Sequence, residues 1–269
     1  MPPTRTSSPQ ASPAVSSLPD PSAPGRLCAI HQPNLFPRLS TLAKLYAADC
    51  WIVLDDVQFA RRDYQHRARL AALHNPRQRQ WLTLPTHLPH GRGSLVSEAR
   101  LVDSDVSSKR LALLLRQYYG SSRYWSSLDG MIQPLLELLD TSDRTAVVAE
   151  ASARLLLDLL GRRGSVVRSS AYPAREGRSE RLADLAKAVG ADLYLCGTGG
   201  ARYLRSDPFD EYCIGVALFR TPAYGGAWTG AREISALWAL ATYGPQHVAD
   251  LLRDRTSVQA SNRFELGAG

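Results

Sequence analysis

The stretch from Leu27 to Asp56, LCAIHQPNLFPRLSTLAKLYAADCWIVLDD, constrains the fold more than any other part of the chain. Leu27 to Ile30 is a short apolar run, which predicts a buried strand ending at His31. A loop bracketed by Pro33 and Pro37 follows, and then Leu42, Leu45 and Tyr46 fall on one helical face behind Ser40, a suitable N-cap. Cys50 to Phe59, CWIVLDDVQF, reads as a second buried strand. Strand, helix and strand in such close succession form a βαβ unit, whose two strands run parallel because the helix carries the chain back to the starting edge.

The rest of the chain extends that pattern. Residues 1–25 are Pro, Ser and Ala with almost no large apolar groups, and read as a disordered tail because they bury too little surface to offset chain entropy. RQRQWLTLPTHL and GSLVSEARLVD read as strands, and about 105–161 as a central helical insert. Within the insert, one helix ends at Gly120, a second is kinked at Pro134, and a third starts at a Ser142 cap and stops at Gly161. A strand at SVVRSSAY, a helix capped by Ser179 and ended by Gly190, and strands at DLYLCG and YCIGVALF resume the α/β order. One or two closing helices precede a polar tail over 256–269. The expected fold class is α/β, a single domain over 26–255 with a mostly parallel, Rossmann-like sheet.

Composition narrows the function classes. With 44% hydrophobic and 21% charged residues the chain has ordinary globular composition. It has no run of apolar residues long enough to span a bilayer and no basic-then-apolar leader, so a cytoplasmic protein without a membrane partner is expected. Cys28, Cys50, Cys196 and Cys213 are far apart and beside apolar residues, which predicts buried free thiols. The net charge of +7, carried almost wholly by arginine, suits an anionic small molecule or an acidic carrier protein, or else reflects a high-GC genome, since little lysine and much alanine accompany it; the basic residues are scattered, so nucleic acid is an unlikely partner. The histidines show no metal-ligand spacing and the sequence names no cofactor.

In open α/β sheets ligands bind beyond the carboxyl ends of the strands, and three polar clusters fall there. His31, Gln32 and Asn34 follow the first strand: His31 as a general acid or base with the two amides orienting a ligand, or all of them satisfying loop backbone groups. Asp55 and Asp56 follow with Gln58, Arg61, Arg62, Gln65 and Arg67. If the strand stays regular, adjacent aspartates point to opposite faces, so only one of them faces a given site. The arginines suit phosphate or carboxylate, or else a solvated turn. The third cluster is CGTGGARYL, where Gly199 and Gly200 let backbone approach an anion beside Tyr203, although it lacks the full G-x-G-x-x-G order. TPAYGGAWTGAREIS, with Tyr224 and Trp228, is placed to close over such a site.

HQPNLFPRLSTLAKLYAADCWIVLDDVQFARRDYQHR resembles the N-terminal signature of the WbqC-like protein family, with its H-Q-P start, helix, A-D and D-D-V-Q strand end. QWLTLP, GADLYLCGTGGARYL and the C-terminal Y-G-P helix also look alike, so the resemblance spans nearly all of Arg26 to Leu252. Arg38 stands where the family usually has tryptophan, and His66 precedes Arg67 where asparagine is usual. The resemblance implies a biosynthetic enzyme of a bacterial natural-product, antibiotic or surface-polysaccharide pathway. The reading that fits these residues is a transferase moving an acyl or aminoacyl group, from a carrier-protein thioester, to an amine. His31, Asp55 and Asp56 are its candidate catalytic residues, and Gln32, Asn34, Gln58, Arg61, Arg67, Gly199, Gly200 and Tyr203 its candidate substrate-binding residues. Two alternatives stay open: a nucleotide-dependent adenylating or nucleotidyl-transferring enzyme, and a non-catalytic ligand-binding protein.

Overall fold

The computed structural model of the chain describes residues 25–222 and 224–260, with 255–260 described by backbone alone. Strands β1 (Leu27–His31) and β2 (Cys50–Val53) flank helix α1 (Leu39–Ala47) and pair in parallel, Cys28 opposite Cys50 through His31 opposite Val53. Two details differ from expectation. Ser40 lies inside the first turn of α1, and Arg38 holds the N-cap position without a side-chain cap bond. The Ser40 N–H is instead satisfied by the Ala231 carbonyl at 2.9 Å, so a segment distant in sequence caps this helix. Strand β2 also stops at Val53, well short of Phe59, because Asp55 turns the chain onto the hydroxyls of Ser169 and Ser170.

A hairpin of β3 (Arg67–Ala72) and β4 (Asn75–Thr83) follows, and then a short antiparallel pair, β5 (Thr86–His87) with β6 (Arg100–Leu101). Most of GSLVSEARLVD is therefore not strand. Short 3-10 turns occupy Gly91–Gly93 and Val96–Glu98, the second held by the Glu98 carboxylate accepting the Leu95 N–H at 2.8 Å.

Helices α2 (Ser104–Tyr119), α3 (Trp125–Thr141) and α4 (Thr145–Leu159) form the expected helical run. Gly120 ends α2 by donating its N–H to the Arg116 carbonyl, and Gly161, at φ +75°, follows α4. Helix α3 continues through Pro134, a residue that costs a helix interior about 3 kcal/mol. Buried Leu128, Ile132, Leu135 and Leu139 on its apolar face offset that cost. Ser142 ends α3 and does not cap α4, whose N-cap position is Arg144.

The second α/β stretch comprises β7 (Ser165–Arg168), α5 (Arg178–Ala188), β8 (Leu193–Gly197), α6 (Asp207–Asp210) and β9 (Gly215–Phe219). Gly177 is at the N-cap of α5, while Ser179 sits in its first turn and accepts the Arg205 N–H. Helices α7 (Ala236–Tyr243) and α8 (Pro245–Ala260) close the chain, and α8 runs into the stretch expected as a polar tail. Residues 1–24 and 261–269, the remainder of the two expected tails, lie outside the described residues.

The central sheet is five-stranded and parallel throughout, in the order β7-β2-β1-β8-β9. Side-chain alternation divides its core. Ala29, Trp51, Val53 and Leu195 share a cluster with α1 to α4, α7 and α8, whereas Cys28, Ile30, Cys50, Ile52, Tyr194 and Cys196 face α5 and α6. All four thiols are free, but only three are buried; Cys213 is exposed in the turn before β9, with φ at +56°. No helix among the described residues is long and apolar enough to cross a membrane.

Candidate active site

The sheet opens at its centre. Strands β1 and β8 pair only at Leu27 opposite Leu193 and Cys28 opposite Tyr194, and part beyond those residues. The strand order also reverses there, since β2 lies on one side of β1 and β8 on the other. Such a switch point leaves a crevice outside the carboxyl ends of the strands. A cleft of about 920 Å³ occupies it, lined by Ile30, His31 and Gln32 from β1 and by Gly197 to Gly200 from β8. The first turns of α1 and α5 add Arg38, Ser40, Thr41, Arg178 and Arg181, and Lys44 lies one turn further along α1.

His31 is oriented by its neighbours. Its Nδ1 lies 2.7 Å from the Gln32 carbonyl, an acceptor only, so Nδ1 carries the hydrogen and Nε2 keeps a lone pair. The His31 carbonyl accepts from Trp51 Nε1 at 3.2 Å and from the Leu54 N–H at 3.0 Å, which ties the residue to the buried β2. Burial first, and then the Lys44 ammonium, push the imidazole down to about 3, against the opposing hydrogen bond to Gln32. His31 is therefore a neutral base near pH 7.

That neutrality is linked to stability. A histidine whose folded pKa is depressed is stabilising above its unfolded value of about 6.5, and the contribution is lost as pH falls toward the folded value. His66, which burial lowers to about 4, behaves the same way. Acidification from pH 7 to 5 is expected to remove about 2 kcal/mol for each of the two groups. Urea unfolding of His31→Gln and His66→Gln should each show a flatter pH dependence than the parent; unchanged slopes would contradict neutral burial.

Sequence patterns alone missed Lys44. It is only 5% exposed, and its ammonium donates to the Ile30 carbonyl at 3.3 Å, where β1 has already parted from β8. Burial lowers it to about 8, opposed by the nearby thiols of Cys196 and Cys28. A signal was present: Ser40, Thr41 and Lys44 form a polar stripe at helical spacing in an otherwise apolar α1.

The other sequence candidates divide between the cleft and its supports. Gln32, Gln58, Gly199 and Gly200 line the cleft. Gln32 Oε1 accepts from the side chain of fully buried Gln65, and Gln58 donates to the Arg92 carbonyl at 2.5 Å. Thr198, Gly199 and Gly200 form the turn that leaves β8 at the cleft. Asn34 is buried behind the loop, donating to the Pro33 carbonyl at 3.2 Å, and is not on the cleft wall. Asp55 is also off the cleft, where it accepts from the Ser170 N–H and hydroxyl and from the Ser169 hydroxyl. Asp56 accepts from that same Ser169 hydroxyl at 2.5 Å and pairs with Arg181, which does line the cleft.

Because β2 ends early, both aspartates reach one serine, an arrangement that a regular strand would forbid. Arg67 stacks on Trp81 at 4.3 Å and braces the turn through the Asp63 carbonyl, and exposed Arg61 and Arg62 lie off the lining. Tyr203 is exposed beside the cleft with Arg178 over its ring at 5.3 Å. The cations on the cleft are thus Arg38, Lys44, Arg178, Arg181 and Arg232. Among the described residues no group of three or more His, Cys, Asp and Glu is placed to hold a metal ion.

Residues 32–249 match the model of the WbqC-like protein family, a span that carries nearly every element around the cleft. The chain is also similar to the uncharacterized protein Rv1507c of Mycobacterium tuberculosis (strain ATCC 25618 / H37Rv), at 24% identity over 210 residues, covering 78% of this chain and 86% of that protein. No solved structure matches it.

Proposed function

The chain belongs to the WbqC-like protein family, and from that premise we propose that it is a cytoplasmic biosynthetic transferase that moves an acyl or aminoacyl group from a carrier-protein thioester to an amine. The observation that carries this reading is the neutral, oriented imidazole of His31 in a cleft rich in cations. In the reaction, the amine nitrogen attacks the thioester carbonyl while His31 Nε2 takes its proton. The C–S bond then breaks, and the proton passes from His31 to the departing thiolate. The backbone N–H groups of the Thr198 to Gly200 turn and the Gln32 amide are the candidate donors to the oxyanion. Arg178 and Arg181 at the rim suit the phosphate of a phosphopantetheine arm.

A base at about 3 is weak, and the design of the cleft answers this. Lys44 and Arg38 both depress His31, so an anionic substrate seated between them raises its basicity at the moment of binding. The pathway is that of a natural product or a surface polysaccharide. A second reading, a nucleotide-using transferase, draws support from the position of the cleft at the switch point, where nucleotides bind in other open α/β sheets.

Deleting the gene and profiling metabolites by mass spectrometry is the test. Accumulation of an amine lacking one acyl group is the expected outcome. Accumulation of an unactivated acid or sugar points to the nucleotide reading, and an unchanged pathway points to a binding protein.

A further inference from the structure

We infer that the floor of the cleft is a seat for an oxyanion of the substrate, a carboxylate or a phosphate group, held between the Lys44 ammonium and the Arg38 guanidinium. The inference rests on the cleft being the substrate site but not on acyl transfer. Its first support is a comparison among buried charges. Glu150, also 5% exposed, has Arg154 and Arg168 at 2.8 Å each, and Asp55 accepts three hydrogen bonds. Lys44 alone has a single neutral carbonyl at 3.3 Å for an ammonium with three donors. Burying a charge so poorly partnered is costly unless a counter-ion joins it.

Arg38 supplies the second observation. Its Nη1 donates to the Arg232 carbonyl at 3.0 Å and its guanidinium lies over Tyr64 at 4.2 Å, yet its buried Nε has no partner among the described residues. Both cations line the cleft with His31, and both depress its imidazole, so each stands near the base. The Ser40 and Thr41 hydroxyl residues lie beside them at the start of α1. The Cα of Gly197 lies beside the ammonium, since a Cβ there would stand at an ordinary contact distance of 3.7 Å from Lys44 Nζ.

The seat makes binding pH-dependent in one direction. The ammonium attracts an anion, and the neutral amine formed above about 8 does not, so affinity falls as pH rises. Other titratable groups around Lys44 do not mimic this: burial pushes Cys28 up to about 12 and raises Cys196 and Tyr194, while His31 is already neutral. The other charged groups on the cleft are Arg38, Arg178, Arg181, Arg232, Asp63 and Glu176.

Calorimetric titration of the full chain with sulfate, whose charge is constant over the range, tests the seat at pH 7 and 9.5. The parent should bind at least about tenfold more weakly at pH 9.5, and Lys44→Met should lose about tenfold at pH 7 together with the pH dependence. Arg38→Gln keeps the ammonium but removes the second cation of the seat, and should also weaken binding. Thermal melts separate the seat from a purely structural lysine. Lys44→Met should melt no lower than the parent, because it removes a poorly paired buried charge, whereas a lysine kept only to bond Ile30 would lower the melt on removal. Displacement of sulfate by acetate or by inorganic phosphate then identifies which group is seated. Parent-like sulfate affinity in Lys44→Met overturns the inference, and if that variant fails to fold, parent-like affinity in Arg38→Gln does so. Because no turnover is read, this result is independent of whether acyl transfer is the reaction.

Discussion

Replacing His31 by alanine is expected to slow acyl transfer by about 100- to 10,000-fold, the range removed with a general base. The expectation follows from how the side chain is held. Trp51 and Leu54 fix the backbone of His31, and the Gln32 carbonyl fixes the tautomer, so the lone pair on Nε2 is available without prior loss of a proton. Single-turnover measurement with an acyl carrier thioester and its amine isolates the chemical step. The loss should fall on that step and leave substrate affinity within a few-fold, since the cations that attract the anion are untouched. Full turnover by His31→Ala would remove the residue from the mechanism. With substrate bound, the pH profile should break well above 3, because an anion beside Lys44 and Arg38 counters the two charges that depress the imidazole.

Asp55→Ala is expected to lower stability by about 3 kcal/mol, a larger loss than any single surface substitution in this chain. Asp55 is 6% exposed and its carboxylate accepts the Ser170 N–H at 3.0 Å, the Ser170 hydroxyl at 2.9 Å and the Ser169 hydroxyl at 3.1 Å. The Asp55 N–H in turn donates to Ser169 Oγ at 3.1 Å. These bonds join the end of β2 to the turn after β7, and alanine removes the acceptor of the Ser170 N–H and hydroxyl and one of the two acceptors of the buried Ser169 hydroxyl. Asn at the same position should cost less, because its carbonyl still accepts while its amide donors face the serines. Urea unfolding reads both effects. If Asp55→Asn instead abolishes turnover while stability is unchanged, Asp55 is a catalytic base and not the staple described here.

Much of this fold is readable in short apolar runs. Leu27 to Ile30 and Cys50 to Val53 have no charge to expose, and a parallel central sheet buries both faces, so run length was a sufficient signal. Helix ends are less legible in the sequence for one shared reason. Ser40, Ser142 and Ser179 all have a capping side chain, but the Ser40 amide is met by Ala231, Ser142 ends α3, and Ser179 accepts from Arg205. A cap is a contact, and distant segments competed for each of these groups. GSLVSEARLVD failed as a strand because Glu98 closes a local turn that hydropathy does not register.

That polar residues would gather at the strand ends is already legible in the chain, since His31, Gln32 and the Gly199–Gly200 turn directly follow apolar runs and do line the cleft. The βαβ start is legible there too, because hydrophobic periodicity is local and survives without partners. Which cations face that cleft depends on how distant segments come together. Arg61 and Arg67 lie near the aspartates in sequence, but Arg61 is exposed off the cleft lining and Arg67 stacks on Trp81, whereas Arg38, Arg178, Arg181 and Arg232 converge from helices and loops far apart in the chain. The same assembly makes Asp55 and Asp56 meet at Ser169 and buries Lys44 where β1 and β8 separate. The physical reason is the same in each case: a side chain's charge is written in the sequence, but its desolvation and its partners are set by strand order, which no local pattern encodes.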